Sequence, residues 1–390
     1  MPNPSFRPAP VRTDTSNAFA HHTMQVRLPA ILREVQTLNP DYPPDIQRNL
    51  DVLRENIQGD GPIPMLDLPA PDYDEWASAY ADHRGETWHA SEWFFAEMFA
   101  YRHVIQAVRW WETGRDPFAP KKALELASES LWQTLDQALA VRERPDLSAE
   151  ERLAAMLELA LWGNRIDLSY AVAAAHGSHR ADDDLLVDDR DKAVARLLAA
   201  QGTVHILNDN TGTELAMDMA LADLLLDGYA DRIIFHLKLH PTYVSDATVP
   251  DVLSFLDRLE SGGDPARRLA ERLRSAFVAG RWRLAPDGYW NSSRFLWDMP
   301  SHLAQGFQDS PLVIVKGDAN YRRLVGDALW SPETPLGEVA AYFPAPLLAL
   351  RSLKSDTIVG LPEGLAARLD AVDTAWRSNG QRGLIQFAVP

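Results

Sequence analysis

The sequence predicts an α/β protein, a Rossmann-like α/β/α sandwich preceded by a helical amino-terminal domain. Four short apolar runs in the second half have the composition of β-strands: Thr203–Leu207, Arg232–Leu237, Leu312–Lys316 and Leu347–Arg351. Segments with helical periodicity separate these runs or follow the last of them: Glu214–Leu226, Val249–Glu260, Asp264–Val278 and Glu363–Asn379. Strands that alternate with helices predict a parallel sheet covered by helices on both faces.

The first half of the chain reads as helical. Glu92–Val108 has apolar residues at helical spacing, and a second helix opens at Ser148 with a capping-box pattern that includes Glu151. We expect a loose tail over residues 1–20, a helical domain over 21–200 and the Rossmann-like domain over 201–390. No strand is expected before residue 200, and the acidic segment Ala174–Arg190 is interpreted as a solvated connection or a mobile flap.

Composition limits the class of protein. The chain has 390 residues, 46% of them hydrophobic and 24% charged, which is typical of a soluble globular protein. Its formal net charge of −17 argues against nucleic acid as a partner. The lack of cysteine excludes disulfides, thiolate metal sites and a cysteine nucleophile. No apolar run is long enough to span a membrane, and the first residues lack the apolar core of a signal peptide. We therefore expect a cytoplasmic protein. The sequence does not predict its oligomeric state.

The junction after the first strand is the strongest functional signal. Asp209 and Asn210 come one residue after the strand, and a helical pattern with Glu214 in its first turn comes next. Ligands bind at such junctions in open α/β sheets, and carboxylate and amide oxygens suit divalent cations. The alternative is that one of the pair simply caps the helix.

A second carboxylate follows the second strand. Asp246 lies in Val-Ser-Asp-Ala-Thr (residues 244–248) and is either another ligand of a metal site or a cap for the helix that Pro250 opens. In the amino-terminal half, Gly163 ends a helix and Asn164 follows it. Asn164 or Asp167 is a candidate for the domain cleft, although the same pattern is typical of an ordinary helix end.

Two further strand ends carry basic residues. After the third strand, Lys316 and Arg322 are candidate ligands of phosphate oxygens, and Asp318 and Asn320 are candidates to bind hydroxyl groups or orient the cations. Lys354 follows the fourth strand and is another candidate phosphate ligand. The alternatives are a polar turn for the first group and a solvated surface charge for Lys354.

Several familiar motifs are missing. The sequence has no G-x-G-x-x-G, no Walker lysine motif and no G-x-S-x-G. His236 and His240 are four residues apart, but they fall on a strand and its exit and so do not form a helical zinc pair. The usual nucleotide-binding and serine-hydrolase interpretations are therefore weakened.

Five ordered motifs resemble the damage-control phosphatase family, which is also described as acidic-residue methyltransferase-like. They are W-G-N (162–164), D-N-T-G-x-E (209–214), Y-V-S-D (243–246), K-G-D-x-N-Y-R (316–322) and R-S-x-K (351–354). Glu97–Arg102 is similar to the motif of the family's helical domain, and Ser352 stands where the family signature has threonine.

The resemblance implies a metal-dependent phosphatase acting on phosphate monoesters of small metabolites, with sugar phosphates such as fructose 1-phosphate expected first. It implies a divalent cation, with Mn²⁺ expected before Mg²⁺, Co²⁺ or Ni²⁺, held by the catalytic residues Asp209, Asn210 and Asp246. The motifs place substrate contacts at five positions: Asp318, Asn320, Tyr321, Arg322 and Lys354. Asn164, Glu214 and Lys316 complete the expected substrate-binding set.

Two other functions stay open at this point. Glu214 matches a position that the family description assigns to S-adenosylmethionine, so a carboxyl methyltransferase is one alternative. A non-catalytic sugar-phosphate binder is the other. For the phosphatase, the residue types allow attack either by a water molecule or by an aspartate carboxylate.

Overall fold

The computed structural model describes residues 7–163 and 184–389, and its centre is a seven-stranded sheet. The strands, numbered along the chain, are β1 (Leu185–Asp188), β2 (Thr203–Leu207), β3 (Arg232–Lys238), β4 (Trp282–Asp287), β5 (Val313–Lys316), β6 (Leu347–Ser352) and β7 (Gly383–Ala388). Their order across the sheet is β1-β7-β6-β5-β2-β3-β4. All neighbours pair in parallel except β6 and β7, which are antiparallel. The carboxyl ends of β6, β5, β2, β3 and β4 therefore share one edge of the sheet.

Helices surround the sheet and form the amino-terminal part of the chain. Their bounds are Ala18–His22, Leu28–Leu38, Pro44–Gln58, Tyr73–Ala81, Trp93–Ala107, Trp110–Thr113, Ala119–Leu126, Glu129–Glu143, Ala149–Trp162, Arg190–Ala199, Thr213–Leu225, Val249–Glu260, Asp264–Val278, Ser301–Phe307, Gly317–Val325, Leu336–Val339 and Leu365–Val372. A π-helical turn covers Thr23–Arg27, and short 3-10 turns cover Gly288–Asn291 and Leu296–Asp298. Within the described ranges, none of the helices has both the length and the apolar character needed to cross a lipid bilayer.

The alternation of side chains along the strands divides the core into two layers. Ile206 of β2 and Ile314 of β5 face the core formed with the helices of residues 129–162, 190–225 and 249–278. Leu207 and Val315, their neighbours along the strands, face the opposite core, which includes the helices of residues 301–325. A third apolar cluster, within residues 24–118, belongs to the amino-terminal helices. The expected α/β/α sandwich with a helical amino-terminal part is confirmed.

Some elements differ from the expectation. The statement that no strand precedes residue 200 is wrong, because β1 pairs with β7 at the edge of the sheet. Residues 174–183 of the expected flap lie outside the described residues, and the rest of that segment forms β1 and the start of the helix Arg190–Ala199. β4 and β7 were not predicted, and the last helix is shorter than Glu363–Asn379, since it ends at Val372.

Residues 7–20 do not form a loose tail. The backbone N–H of Val11 donates to the carbonyl of Asp327 at 2.9 Å, and that of Thr13 donates to the carbonyl of Ser91 at 2.9 Å. Both Val11 and Thr13 are buried, so the described part of this segment packs against the rest of the protein. The domain boundary at residue 200 stays a prediction, although one apolar core contains residues from both sides of it.

The buried His103 makes the stability depend on pH. Burial lowers its pKa from 6.5 to about 4, and its Nε2 hydrogen-bonds the carbonyl oxygen of Pro64 at 3.0 Å. Neutral His103 stabilises the fold fully above pH 6.5, and this contribution is lost as the pH falls toward 4 because the unfolded chain binds the proton first. We expect the difference in unfolding free energy between the wild type and His103→Gln to shrink by about 3 kcal/mol between pH 7 and pH 4. Urea unfolding at several pH values measures it; a difference independent of pH would contradict the assignment.

Candidate active site

A small cleft of about 120 Å³ lies where the carboxyl ends of the strands meet the amino-terminal helices. The side chains around it come from both halves of the chain: Phe19, Arg27, Trp93, Glu97, Asp209, Asn210, Tyr243, Ser245, Asp246, Asp318, Ala319, Arg322 and Lys354. The cleft therefore brings together six of the residues predicted from the motifs, namely Asp209, Asn210, Asp246, Asp318, Arg322 and Lys354.

Backbone pairing between the loops after β2 and β3 explains why Asp209, Asn210 and Asp246 converge. Asn210 and Asp246 form an isolated antiparallel bridge, and the N–H of Ala247 donates to the carbonyl of Asp209 at 2.8 Å. The hydroxyl of Ser245 also donates to Oδ1 of Asn210 at 2.7 Å. These bonds fix the second carboxylate beside the acid-amide pair.

The Asn210 amide is oriented from three sides. Its Nδ2 donates to Oδ2 of Asp209 at 3.0 Å and to Oε2 of Glu214 at 2.9 Å. With the Ser245 hydroxyl on Oδ1, this pattern fixes which end of the amide is oxygen. Glu214 thus acts on the cleft through Asn210, one turn into its helix.

The charged forms of Asp209 and Asp246 are unfavourable in this buried site when no cation is bound. Both are buried, and burial followed by repulsion from Glu214 and Asp246 raises the pKa of Asp209 well above its ordinary value. Burial also raises the pKa of Asp246 to about 6, against the attraction of Lys238. A positive charge between the two carboxylates would favour their charged forms and lower both pKa values.

Lysines behind the site hold Asp246 in place. Nζ of Lys238 lies 3.3 Å from Oδ2 of Asp246, yet that oxygen has no hydrogen bond of good geometry. Nζ of Lys122 donates to the backbone carbonyl of Asp246 at 3.1 Å.

The loop before Asp246 has a strained backbone. Tyr243 and Val244 have φ of +47° and +68°. Such values are unfavourable for a β-branched residue like Val244 and are typical of strained functional loops.

The residues fit a divalent cation. Among residues 7–163 and 184–389, no group of three or more His, Cys, Asp or Glu side chains is arranged to hold a metal ion. The candidate set is instead two carboxylates and one amide oxygen, all on the cleft wall. The poorly satisfied, buried Oδ2 of Asp246 is the observation that favours a cation there.

Two basic residues of the cleft, Lys354 and Arg322, differ in whether acidic side chains already pair with them. Lys354 is exposed, and its ammonium group has no hydrogen bond or ion pair with any residue that the structure describes. Arg322 is buried and bonds Glu97 at 2.6 Å and Asp327 at 2.8 Å, with its guanidinium 3.6 Å from the centre of the Trp93 ring. Lys354 is thus the freer of these two cations.

Asp318 arranges the loop that carries Lys354. Its Oδ1 accepts from Nε of Arg351 at 2.8 Å, from the backbone N–H of Lys354 at 3.1 Å and from the hydroxyl of Ser355 at 3.0 Å. Burial acts to raise the pKa of Asp318, but Arg351 and Arg322 outweigh it and the pKa lies below its ordinary value. The carboxylate is therefore charged and fixes the position of Lys354.

Three residues expected to bind substrate do not line the cleft. Nζ of Lys316 donates to the carbonyl of Ala160 at 2.7 Å and to Asp218 at 2.5 Å, beneath the site. Asn320 donates to backbone carbonyls of the β2 and β5 ends, and the Tyr321 hydroxyl is buried against Gln386.

The polar groups of all three residues bind the protein itself, and their contact with a substrate stays a prediction. Glu214 also lies behind the cleft wall, 3.4 Å from Lys316. Asn164 lies outside the described residues.

Several side chains of the cleft were not predicted. Phe19 precedes the motifs, Arg27 lies where the resemblance to the family begins but had no predicted role, and Trp93 lies on the helix Trp93–Ala107. Asp218 does not line the cleft but binds Lys316 beneath it, and the sequence contained a signal for it, since it follows Glu214 by four residues and so shares its helix face. No comparable pattern points to Arg27 or Phe19.

A substitution at Gly317 tests the tight packing around Asp209. Gly317 has φ of +79°, and an added Cβ would lie 1.9 Å from Oδ2 of Asp209. Gly114 is a matched control, since it has φ of +64° and open space around the added Cβ. We expect Gly114→Ala to cost about 1 kcal/mol with activity retained, and Gly317→Ala to cost more and to lower activity about 10²-fold. Equal effects in both variants, by thermal unfolding and assay, would contradict the packing argument.

The fold and the cleft together define a Rossmann-like α/β protein with an acidic, cation-flanked site at the carboxyl edge of its sheet. A family model described as the damage-control phosphatase ARMT1-like domain matches residues 23–369. The chain belongs to this family, as the resemblance of its motifs implied.

Similar proteins cover nearly all of the chain. The zebrafish (Danio rerio) protein named damage-control phosphatase ARMT1 is 28% identical, over 96% of this chain and 95% of its own length. The mouse (Mus musculus) and human proteins of the same name are 28% and 25% identical, each over 98% of this chain and 99% of its own length. A solved structure of a DUF89 family protein from Pyrococcus horikoshii is 15% identical, covering 93% of this chain and 98% of that one, with a TM-score of 0.47.

Proposed function

We propose that this protein is a metal-dependent phosphatase that hydrolyses phosphate monoesters of small metabolites, with sugar phosphates such as fructose 1-phosphate as the first class to test. Membership of the damage-control phosphatase family supports hydrolysis of phosphate esters. The observation that carries the proposal is the cleft itself, where two buried carboxylates and an amide face the free ammonium group of Lys354.

The donor set suits a divalent cation, Mn²⁺ before Mg²⁺, Co²⁺ or Ni²⁺. Asp209, Asn210 and Asp246 would hold it through carboxylate and amide oxygens. Bound there, the cation would neutralise phosphoryl charge and lower the pKa of a water molecule. Ser245 and Glu214 keep the Asn210 amide turned so that its oxygen stays on the side of the Ser245 hydroxyl.

The other side chains of the cleft bind the phosphate or position the groups that do so. Lys354 offers its ammonium group to the phosphate, and Asp318 holds the backbone beneath it. Arg322 is held between Glu97 and Asp327, so it fixes the wall of the cleft and does not offer a free charge. The residue types allow one of the carboxylates, Asp209 or Asp246, to take a proton from the attacking water or to attack phosphorus itself.

A phosphate-release assay over a matrix of metals and phosphorylated metabolites tests the proposal. We expect release from sugar phosphates to need an added divalent ion and to stop when the ion is chelated. Asp209→Asn, prepared in the same way, is the matched control for contaminating phosphatases. Lack of release in every combination would contradict the proposal, and transfer of a methyl group from S-adenosylmethionine by the same preparation would favour the methyltransferase alternative.

A further inference from the structure

We propose that Arg27 is a second phosphate-binding cation of the cleft and works together with Lys354. This inference rests on the proposed phosphatase function and extends it to a residue that was not among the predicted site residues. Arg27 ends the π-helical turn Thr23–Arg27, lines the same cleft as Asp209 and Asp246, and is exposed. Its guanidinium has no hydrogen bond or ion pair with the residues that the structure describes.

The charges around the cleft single out Arg27 and Lys354. The positive charge of Arg322 is already shared between Glu97 and Asp327, and the negative charge of Asp318 is met by Arg351 at 2.8 Å. Within the described residues, neither Arg27 nor Lys354 is held in a close ion pair, although Lys354 attracts the buried carboxylate of Asp209. A phosphate monoester carries about 1.5 to 2 negative charges at neutral pH, which two such cations match.

The backbone holds these two cations on the same cleft. Leu28 and Pro29 are buried directly after Arg27, so its backbone is anchored while its side chain stays exposed. Earlier in the same segment, Nδ2 of Asn17 donates to Oδ2 of Asp356 at 2.7 Å, two residues beyond Lys354. The amino-terminal segment is therefore fastened to the loop that carries Lys354.

The type of cation also suits the role. A guanidinium group offers several N–H donors in a planar fork that fits two phosphate oxygens, whereas an ammonium group acts as a point charge. Phe19 and Trp93 pack edge to face at 5.7 Å and line the cleft beside Arg27. This apolar wall lowers the local dielectric and strengthens the attraction between the guanidinium and a bound phosphate.

Calorimetric titration with inorganic phosphate, in the presence of Mn²⁺, tests Arg27 without relying on turnover. We expect Arg27→Gln to weaken phosphate binding about tenfold to hundredfold, and Arg27→Lys to recover part of the loss. Arg33→Gln is the matched control, because Arg33 is exposed on the next helix and does not line the cleft. It should bind phosphate like the wild type, and all three variants should keep the wild-type melting temperature.

Kinetics separate the two proposals. With a hydrolysed sugar phosphate, Arg27→Gln should raise KM far more than it lowers kcat. If phosphate binds the wild type and weakens in Arg27→Gln while no metabolite is hydrolysed, the phosphatase proposal fails and the role of Arg27 in binding stands. Equal phosphate affinity in Arg27→Gln and the wild type, or no phosphate binding by the wild type, would overturn the inference.

Discussion

Asp209→Asn is expected to lower kcat for metal-dependent phosphate release by on the order of 10³-fold while the fold stays intact. The amide keeps the size of the side chain but removes the charge that faces the cleft. The raised pKa of Asp209 means that its charged form destabilises the folded protein at neutral pH in the absence of a cation. The metal-free variant should therefore melt at a higher temperature than the wild type, and added Mn²⁺ should stabilise it less.

Steady-state kinetics and thermal unfolding, each with and without Mn²⁺, check these expectations. Asp136→Asn is a suitable control, because Asp136 is an exposed acid on the helix Glu129–Glu143. Wild-type activity in Asp209→Asn would remove Asp209 from the mechanism. A melting temperature that falls without the metal would show that the charged carboxylate stabilises the fold.

Lys316→Met is expected to destabilise the protein by about 3–5 kcal/mol, because it leaves a fully buried acid without its cation. Lys316 lies 2.5 Å from Asp218 and 3.4 Å from Glu214, and burial already raises the pKa of Asp218 to about 6. A second change, Asp218→Asn, should recover part of the loss by removing the unpaired acid. Urea unfolding of the single and double variants measures both effects.

Lys354→Gln is the matched comparison for Lys316→Met. Lys354 is exposed and unpaired within the described residues, so its loss should leave the unfolding free energy within about 0.5 kcal/mol of the wild type. It should instead raise KM for the phosphate ester. A large loss of stability in Lys354→Gln, or a rise in KM with wild-type stability in Lys316→Met, would reverse the roles assigned to the two lysines.

The central strands could be predicted from the sequence because their apolar character is continuous. β2, β5 and β6 are buried on both faces, so β-branched and aliphatic residues fill them almost without interruption. β4 contains Arg283 and Pro286 at the edge of the sheet, and β1 is a short edge strand. Edge strands need no continuous apolar run, which explains why β4 gave no clear signal; β1 has only four residues, which is too short for a reliable pattern.

The acidic part of the site could be predicted because Asp209, Asn210 and Asp246 all follow strand ends at one edge of the sheet. Lys316 also ends a strand and was expected to bind substrate, but its side chain does not line the cleft. Side chains alternate along β5, so Lys316 lies on the face of Ile314, toward the helices Ala149–Trp162 and Thr213–Leu225. The alternation of side chains along a strand therefore predicts that Lys316, the last residue of β5, lies beneath the cleft.

The amino-terminal wall of the cleft could not be predicted from local pattern. Arg27 and Phe19 are separated from the sheet by well over a hundred residues of sequence, and only tertiary packing brings them to Asp246. The first residues are rich in proline and polar side chains, which is also typical of loose tails. The burial of Val11 and Thr13 was therefore not predicted.

Anomalous diffraction from crystals soaked in Mn²⁺ would test the central claim most directly. We expect one strong peak in the cleft, within coordinating distance of oxygens from Asp209, Asn210 and Asp246, and its loss in Asp209→Asn crystals. A fully soaked crystal with no peak between these side chains, or with its peak at another site, would contradict the account.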